Sequence, residues 1–379
     1  LPVGIVSGSG NQGMTATLPV IAYAKELRPD AIVIAGDIYD KSVPSAEAVT
    51  IFDEFLTELS EITPVIPILI ISGNHDSPDR LNYASEILRR HHIYLVGNVP
   101  EQPEEHIEKV TLQDTYGEVD FYLLPFMKPG YVRNVFVNNV PETYADAVRE
   151  IIKREKIDYN NKRNVLVSHQ FYVGEKEGSP ETCDSEVFSV GGIDNVDIGA
   201  VKEFDYVALG HLHGPQKIGK ETVRYSGTPL KYSFSETNHK KAAVIVDVEE
   251  KGKINIQQIP FLPKHDMREV RGTYMEVTAL DFYKDMNTDD YFHITLTDEE
   301  DIPDAIGKLR TIYPNIMKLS YDNLRTRAAV TVRGTAEVEE KSPMELLREF
   351  YELQNNQPMT DEQEEIARGM MEEIWEDER

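Results

Sequence analysis

From about residue 18 to residue 210, short β-branched runs alternate with amphipathic stretches, the pattern of an α/β layered fold. The apolar runs predict buried strands at 31–35, 66–72, 121–124, 165–168 and 206–209. The amphipathic stretches predict helices at 45–59, with Ser45 as its cap, at 79–90 and at 143–156. Past His213 the texture changes, and 223–226, 242–248 and 254–259 read as antiparallel strands with Gly252 in the last turn. Phe261, Leu262 and Pro263 form a candidate linker. Beyond it, strand, helix and strand signals at 274–277, 302–312 and 328–332 predict a small α+β domain. From Pro343 the chain reads as helical, with Leu346, Leu347, Phe350, Tyr351 and Leu353, then Ile366, Met370 and Trp375, at near-helical spacing.

Composition narrows the class. With 379 residues and 40% hydrophobic content, two or three domains with real cores are expected, which excludes disorder throughout. The single cysteine, Cys183, cannot form an intramolecular disulfide, so a reducing cytoplasm is the expected compartment and zinc sites built on cysteine are excluded. No run of about 18 apolar residues exists, so no membrane segment is expected. Residues 1–10 lack the basic and apolar regions of a signal peptide. The formal charge of −27 disfavours a phosphate backbone as a general partner, and only a local site could reverse that.

Such a site is suggested by where the predicted strands end. In open α/β sheets, ligand groups gather beyond the carboxyl ends of strands. Here the strands run into Gly36-Asp37-Ile38-Tyr39-Asp40, Gly73-Asn74-His75-Asp76, His169, and Gly210-His211-Leu212-His213. Taken singly, a Gly-Asp pair is a turn and a strand-end histidine is a packed residue. Together, the Asp, Asn and His side chains of four successive loops supply the oxygen and imidazole ligands suited to Mn, Fe or Zn rather than Ca or Mg.

The combined pattern, with GDIYDKSVPSAE at 36–47, SGNHDSPDR at 72–80, 209–216, and YSGTPLKYSFS at 225–235, resembles the calcineurin-like metallophosphoesterase superfamily, and within it the SbcD-type nuclease subunits. The likeness is good over about 30–260 and loose beyond. It implies an α/β metallophosphoesterase β-sandwich flanked by helices (1–262), a small α+β DNA-capping domain (263–338) and a helical segment (339–379) that binds an SbcC-type coiled-coil ATPase. It further implies cleavage of double-stranded DNA ends and hairpins with two Mn2+ ions, and a homodimer within a heterotetramer. Carried over by position, Asp37 would bridge the metals, Asn74, His169 and His211 would complete one shell, and His213 would hold the other ion. His75 would stabilise the transition state or protonate the leaving oxygen, Asp76 would orient it, and Asp40 would brace the loop. Tyr39 is read as packing.

The family opens with an Asp-x-His loop on its first strand, and residues 1–29 contain neither Asp nor His. That departure predicts either an N-terminal segment altered or incomplete relative to a working enzyme, or a single-metal or inactive form. Two other readings follow, a scaffold subunit without catalysis and a phosphoesterase for non-nucleic substrates. Arg325, Arg327 and Arg333 are candidate DNA contacts, although alternating arginines also make salt-bridged faces. His91, His92, His106, His239, His265 and His293 are read as surface or packing residues.

Overall fold

The computed structural model describes residues 11–136, 140–174, 180–184, 186, 194–327, 344, 347–348, 351, 358–360 and 362–367, with backbone alone for 11–18. The chain divides into two compact units, Leu1–Lys264 and His265–Arg379.

The first unit opens with helix α1 (Asn11–Leu27), where the sequence suggested no helix. Strand β1 (Ile32–Ala35) follows, then α2 (Ala46–Ser60), whose cap Ser45 accepts from the Ala48 amide. Next come β2 (Ile68–Ile71), α3 (Pro78–Leu81), α4 (Ser85–Arg89) and β3 (Ile93–Val96). The single helix expected over 79–90 is thus two short ones, because Ala84 between them takes a left-handed φ of 61°. Strands β4 (Glu108–Asp114) and β5 (Gly117–Leu124), helix α5 (Tyr144–Arg154, capped by Thr143), and β6 (Arg163–Ser168), β7 (Phe171–Val173), β8 (Asn195–Asp197), β9 (Tyr206–Leu209), β10 (Gln216–Ile218) and β11 (Lys220–Tyr225) continue the unit, which ends in the hairpin β12 (Ala242–Val248) and β13 (Ile254–Pro260).

Two main sheets result, β1-β2-β3, all parallel, and β10-β11-β9-β6-β5-β4, mixed, beside the two-stranded pairs β7-β8 and β12-β13. Strand β11 pairs parallel to β9 and antiparallel to β10, so the purely antiparallel reading of 223–226 is corrected. Strand alternation fixes the layers. Val33, Ala35, Leu69 and Ile71 pack with Val165, Val167, Tyr206 and Ala208 between the sheets. Ile32, Ile34, Ile68 and Ile70 face outward to Val20, Ile21 and Ala24 of α1 and Phe52, Phe55 and Leu59 of α2. Leu166, Val207 and Leu209 face Ala147, Val148, Ile151 and Ile152 of α5. A β-sandwich with helices on both outer faces follows, and burial on both sides explains why β1, β2, β6 and β9 read as continuous apolar runs.

Arg163, buried at the start of β6, pins this sandwich to its terminal hairpin. Its guanidinium holds the Asp114 carboxylate at 2.6 and 2.8 Å and donates to the Val248, Glu249 and Gly117 carbonyls. That bidentate bond, against a smaller cost of burial, keeps the Asp114 pKa below its ordinary value, so the pair stabilises the fold above the usual carboxylate range and loses its contribution as pH falls through the lowered pKa. Arg163→Ala is expected to cost about 3 kcal/mol in urea unfolding at neutral pH, because it leaves several buried acceptors unpaired.

The second unit carries three parallel strands, β14 (Met267–Gly272), β15 (Tyr291–Leu296) and β16 (Ile316–Tyr321), with helical crossovers α6 (Tyr274–Val277), α7 (Leu280–Tyr283) and α8 (Ala305–Leu309). Residues 274–277, expected as strand, are helical because Thr273 and Glu276 form a reciprocal capping box. Phe292, Ile294 and Leu296 of the central strand bury against Val277, Leu309 and Tyr313. The expected strand at 328–332, together with Arg333, Leu346, Phe350, Leu353, Met370 and Trp375, lies outside the described residues. Among the described residues no helix is long and apolar enough to cross a membrane.

Candidate metal centre

The carboxyl ends of β1, β2, β6 and β9 lie side by side across the two sheets, and their loops converge. Asp37, His169 and His211 each bring a ligand atom within 4.8 Å of the other two. His169 Nδ1 sits 2.6 Å from the Ala35 carbonyl, which can only accept, so Nδ1 carries a proton and Nε2 is aimed inward. Nε2 lies 3.0 Å from Asp37 Oδ2 and 3.1 Å from Asn74 Oδ1, and His211 Nδ1 lies 2.9 Å from the same amide oxygen.

Glycines make this approach possible. A Cβ on Gly36 would come within 2.3 Å of His169 Nδ1, one on Gly73 within 2.1 Å of Asp37 Oδ1, and one on Gly210 within 1.8 Å of the Ala35 carbonyl oxygen. Two of the backbone's left-handed non-glycine residues lie here, with φ of 50° at Asp37 and 103° at His211. Oxygen, amide and imidazole donors held this closely, with Asp37 only 9% exposed, fit a divalent cation of the Mn or Fe class.

The electrostatics match that reading. Burial works against charge on Asp37, but the charge and hydrogen bond of His169, the charge of His75 and the His75 amide (3.0 Å to Oδ1) outweigh it and hold the carboxyl well below its usual range. Burial likewise opposes protonation of His169, and the Asp37 carboxylate overcomes it, so the His169 pKa is raised. Burial and the neighbouring His169 charge lower His211 to about 3 and keep it neutral, as a ligand must be.

The other predicted residues take distinct places. Asp76, pushed up to about 6 by burial and by the Asp37 charge, spends its carboxylate on the backbone amides of Ile38 (3.1 Å), Tyr39 (2.9 Å) and Gly73 (2.8 Å), which ties the β1 and β2 loops together. His75 Nδ1 instead lies 3.0 Å from the backbone carbonyl of Asp40. Tyr39 packs edge-on against Phe52. His213 does not join the Asp37 set. Its Nδ1 is 3.2 Å from Glu236 Oε1, and with Cys183 these side chains form a second convergent group. Glu236 falls one residue past the YSGTPLKYSFS stretch and carried no sequence signal of its own. Arg325 and Arg327, in the second unit, pair with Asp301 at 2.8 Å and Asp322 at 2.7 Å.

Comparison with known proteins agrees with the geometry. The family profile described as calcineurin-like phosphoesterase matches residues 10–215, and that described as Type 5 capsule protein repressor C-terminal domain matches 263–355. A protein of Staphylococcus epidermidis named as the SbcD component of the nuclease SbcCD is 34% identical over 350 residues, covering 91% of this chain and 88% of that relative. Its namesake from Staphylococcus saprophyticus is 29% identical over 352 residues, covering 91% and 89%. A solved structure titled "GAP50 the anchor in the inner membrane complex of Plasmodium" covers 80% of this chain and 96% of that one at 12% identity and a TM-score of 0.39, too distant to carry an argument. With its strand-end side chains converging on Asp37 and a family profile spanning more than half its length, the chain belongs to the calcineurin-like phosphoesterase family, as a hydrolase with an SbcD-type C-terminal domain.

Proposed function

We propose that the chain is a Mn2+-dependent nuclease subunit that hydrolyses phosphodiester bonds in DNA and works in the cytoplasm with an SbcC-type coiled-coil ATPase, in DNA repair, recombination and replication. The observation that carries the reading is the convergence of Asp37, Asn74, His169 and His211 at the ends of β1, β2, β6 and β9. These four would hold the cation, which when bound screens the phosphate charge and activates water for attack on phosphorus. Asp37 brings the formal negative charge of the set. His169 is fixed in one tautomer by the Ala35 carbonyl, so the same ring nitrogen faces the site throughout.

His75 takes the proton-handling role. With Nδ1–H turned to the Asp40 carbonyl, it is the imidazolium form whose Nε2–H would donate to a phosphoryl or leaving oxygen. Asp40 acts through its backbone, and Asp76 keeps both loops in register rather than touching substrate. We assign 1–262 to the nuclease domain, 263–338 to a capping domain and 339–379 to the partner-binding segment, in a homodimer within a heterotetramer. The net charge of −27 fits if the ATPase supplies most contacts to the DNA backbone. Arg325 and Arg327, each already ion-paired, would then add little.

The test is cleavage of a linear duplex and of a hairpin by the purified protein with Mn2+, with and without its ATPase partner and ATP. Mn2+-dependent cleavage with weak DNA binding by the lone protein is expected. Turnover of phosphorylated small molecules without any cleavage of DNA would select the non-nucleic phosphoesterase instead.

A further inference from the structure

His213 stands two residues past His211 in the loop after β9, and its ring and backbone are both held by buried groups. Glu236, fully buried, faces the imidazole with Oε1 3.2 Å from His213 Nδ1. The same oxygen accepts from the Tyr232 amide at 3.3 Å, and Oε2 accepts from the Lys241 ammonium at 2.6 Å. Lys241, itself buried, donates also to the His213 carbonyl and to Thr228 Oγ1, both at 2.8 Å. The Thr228 amide donates to that carbonyl at 3.2 Å, and Glu186 accepts from the His213 amide. Glu236 and Lys241 both lie outside the sequence motifs of the centre.

We propose that Glu236, anchored by Lys241, is a positioning residue of the metal centre, which keeps the His213 proton on Nδ1 and so presents Nε2 to a cation. The inference rests on the reading of His213 as the ligand of the second ion, and adds the group that decides which ring nitrogen binds. An ionised carboxylate can only accept and an ammonium can only donate. With Lys241 on Oε2, the contact at Oε1 is Nδ1–H donating to the carboxylate, and a cation can bind only at Nε2. Carboxylate partners of this kind fix the tautomer of a metal-binding imidazole and strengthen it as a donor. For His169 the Ala35 carbonyl does the same at Nδ1; for His213 a buried ion pair does it.

The ion pair makes Glu236→Gln more than a loss of charge. Lys241 would take the amide oxygen, since an ammonium cannot accept from the NH2 group, and the NH2 group would then face Nδ1. His213 would have to accept there and carry its proton on Nε2, the nitrogen that the cation needs. The variant is therefore expected to invert the tautomer, which the loss of a purely packing residue would not do.

The full-length protein is titrated calorimetrically with Mn2+ and, labelled with 15N-histidine, loaded with diamagnetic Zn2+ for nuclear magnetic resonance. The Mn2+ binding step that is lost in His213→Ala should weaken about 10- to 100-fold in Glu236→Gln, while the step that needs Asn74, His169 and His211 stays within about threefold. In the Zn2+-loaded wild type the His213 ring, assigned from its own backbone signals, should carry its proton on Nδ1. A proton on Nε2 would overturn the proposal without reliance on any variant. So would a Glu236→Gln protein that keeps the affinity of the His213-dependent step. Mn2+ binding unchanged by His213→Ala would instead remove the ligand reading of His213, and the proposal with it.

Discussion

Asp37→Asn is expected to lower Mn2+-dependent phosphodiester cleavage by about 10³-fold or more, the scale of a lost electrostatic contact worth several kcal/mol at the reacting centre. The fold should survive. Asn tolerates the left-handed φ of 50° at this position almost as well as Asp, and its Oδ1 can still accept from the His75 amide. What disappears is the formal charge that raises the His169 pKa and that draws the cation in. Calorimetric titration with Mn2+ checks this directly, and wild-type affinity in the variant would remove Asp37 from the site.

The second large effect separates proton handling from metal binding. His75→Gln should reduce cleavage by about 10²- to 10⁴-fold, the range of a lost general acid, while Mn2+ affinity stays within about threefold. The backbone amide that holds Asp37 Oδ1 is kept by any residue at this position, so the loop should not collapse. The loss should shrink on a nitrophenyl phosphodiester, whose leaving group departs without needing a proton. An equal loss on both substrates would place His75 in charge stabilisation rather than proton transfer, and full activity would remove His75 from the reaction.

How much of this was legible in the sequence depends on where each signal lies. Strands β1, β2, β6 and β9 are buried on both faces, and their apolar runs end abruptly at Asp37, Gly73, His169 and Gly210, so the convergent loops could be read residue by residue. The strands of the second unit could not. Their burial alternates or is partial, as in β14, where Val270 is the one buried residue. The short helix α6 hid behind the β-branched Val277 and a capping box that spans only Thr273 to Glu276. The break at Ala84 has no composition signal, because a left-handed alanine is set by packing around it.

The site was legible in part for the same reason. Asp37, Asn74, His169 and His211 carry local motifs, whereas Glu236 stands 23 positions from the His213 ring it faces, and no local pattern connects the two. Roles within motifs also needed the structure. Asp76 follows His75 in sequence and was expected to orient it, yet its carboxylate is committed to three backbone amides, and the Asp40 carbonyl faces the imidazole instead.

The most direct measurement is anomalous diffraction from a crystal of the full-length protein soaked in Mn2+. The account predicts an anomalous peak bounded by Asp37 Oδ2, Asn74 Oδ1, His169 Nε2 and a ring nitrogen of His211. Density for Mn2+ elsewhere, with those four side chains still bonded to one another as described, would contradict it.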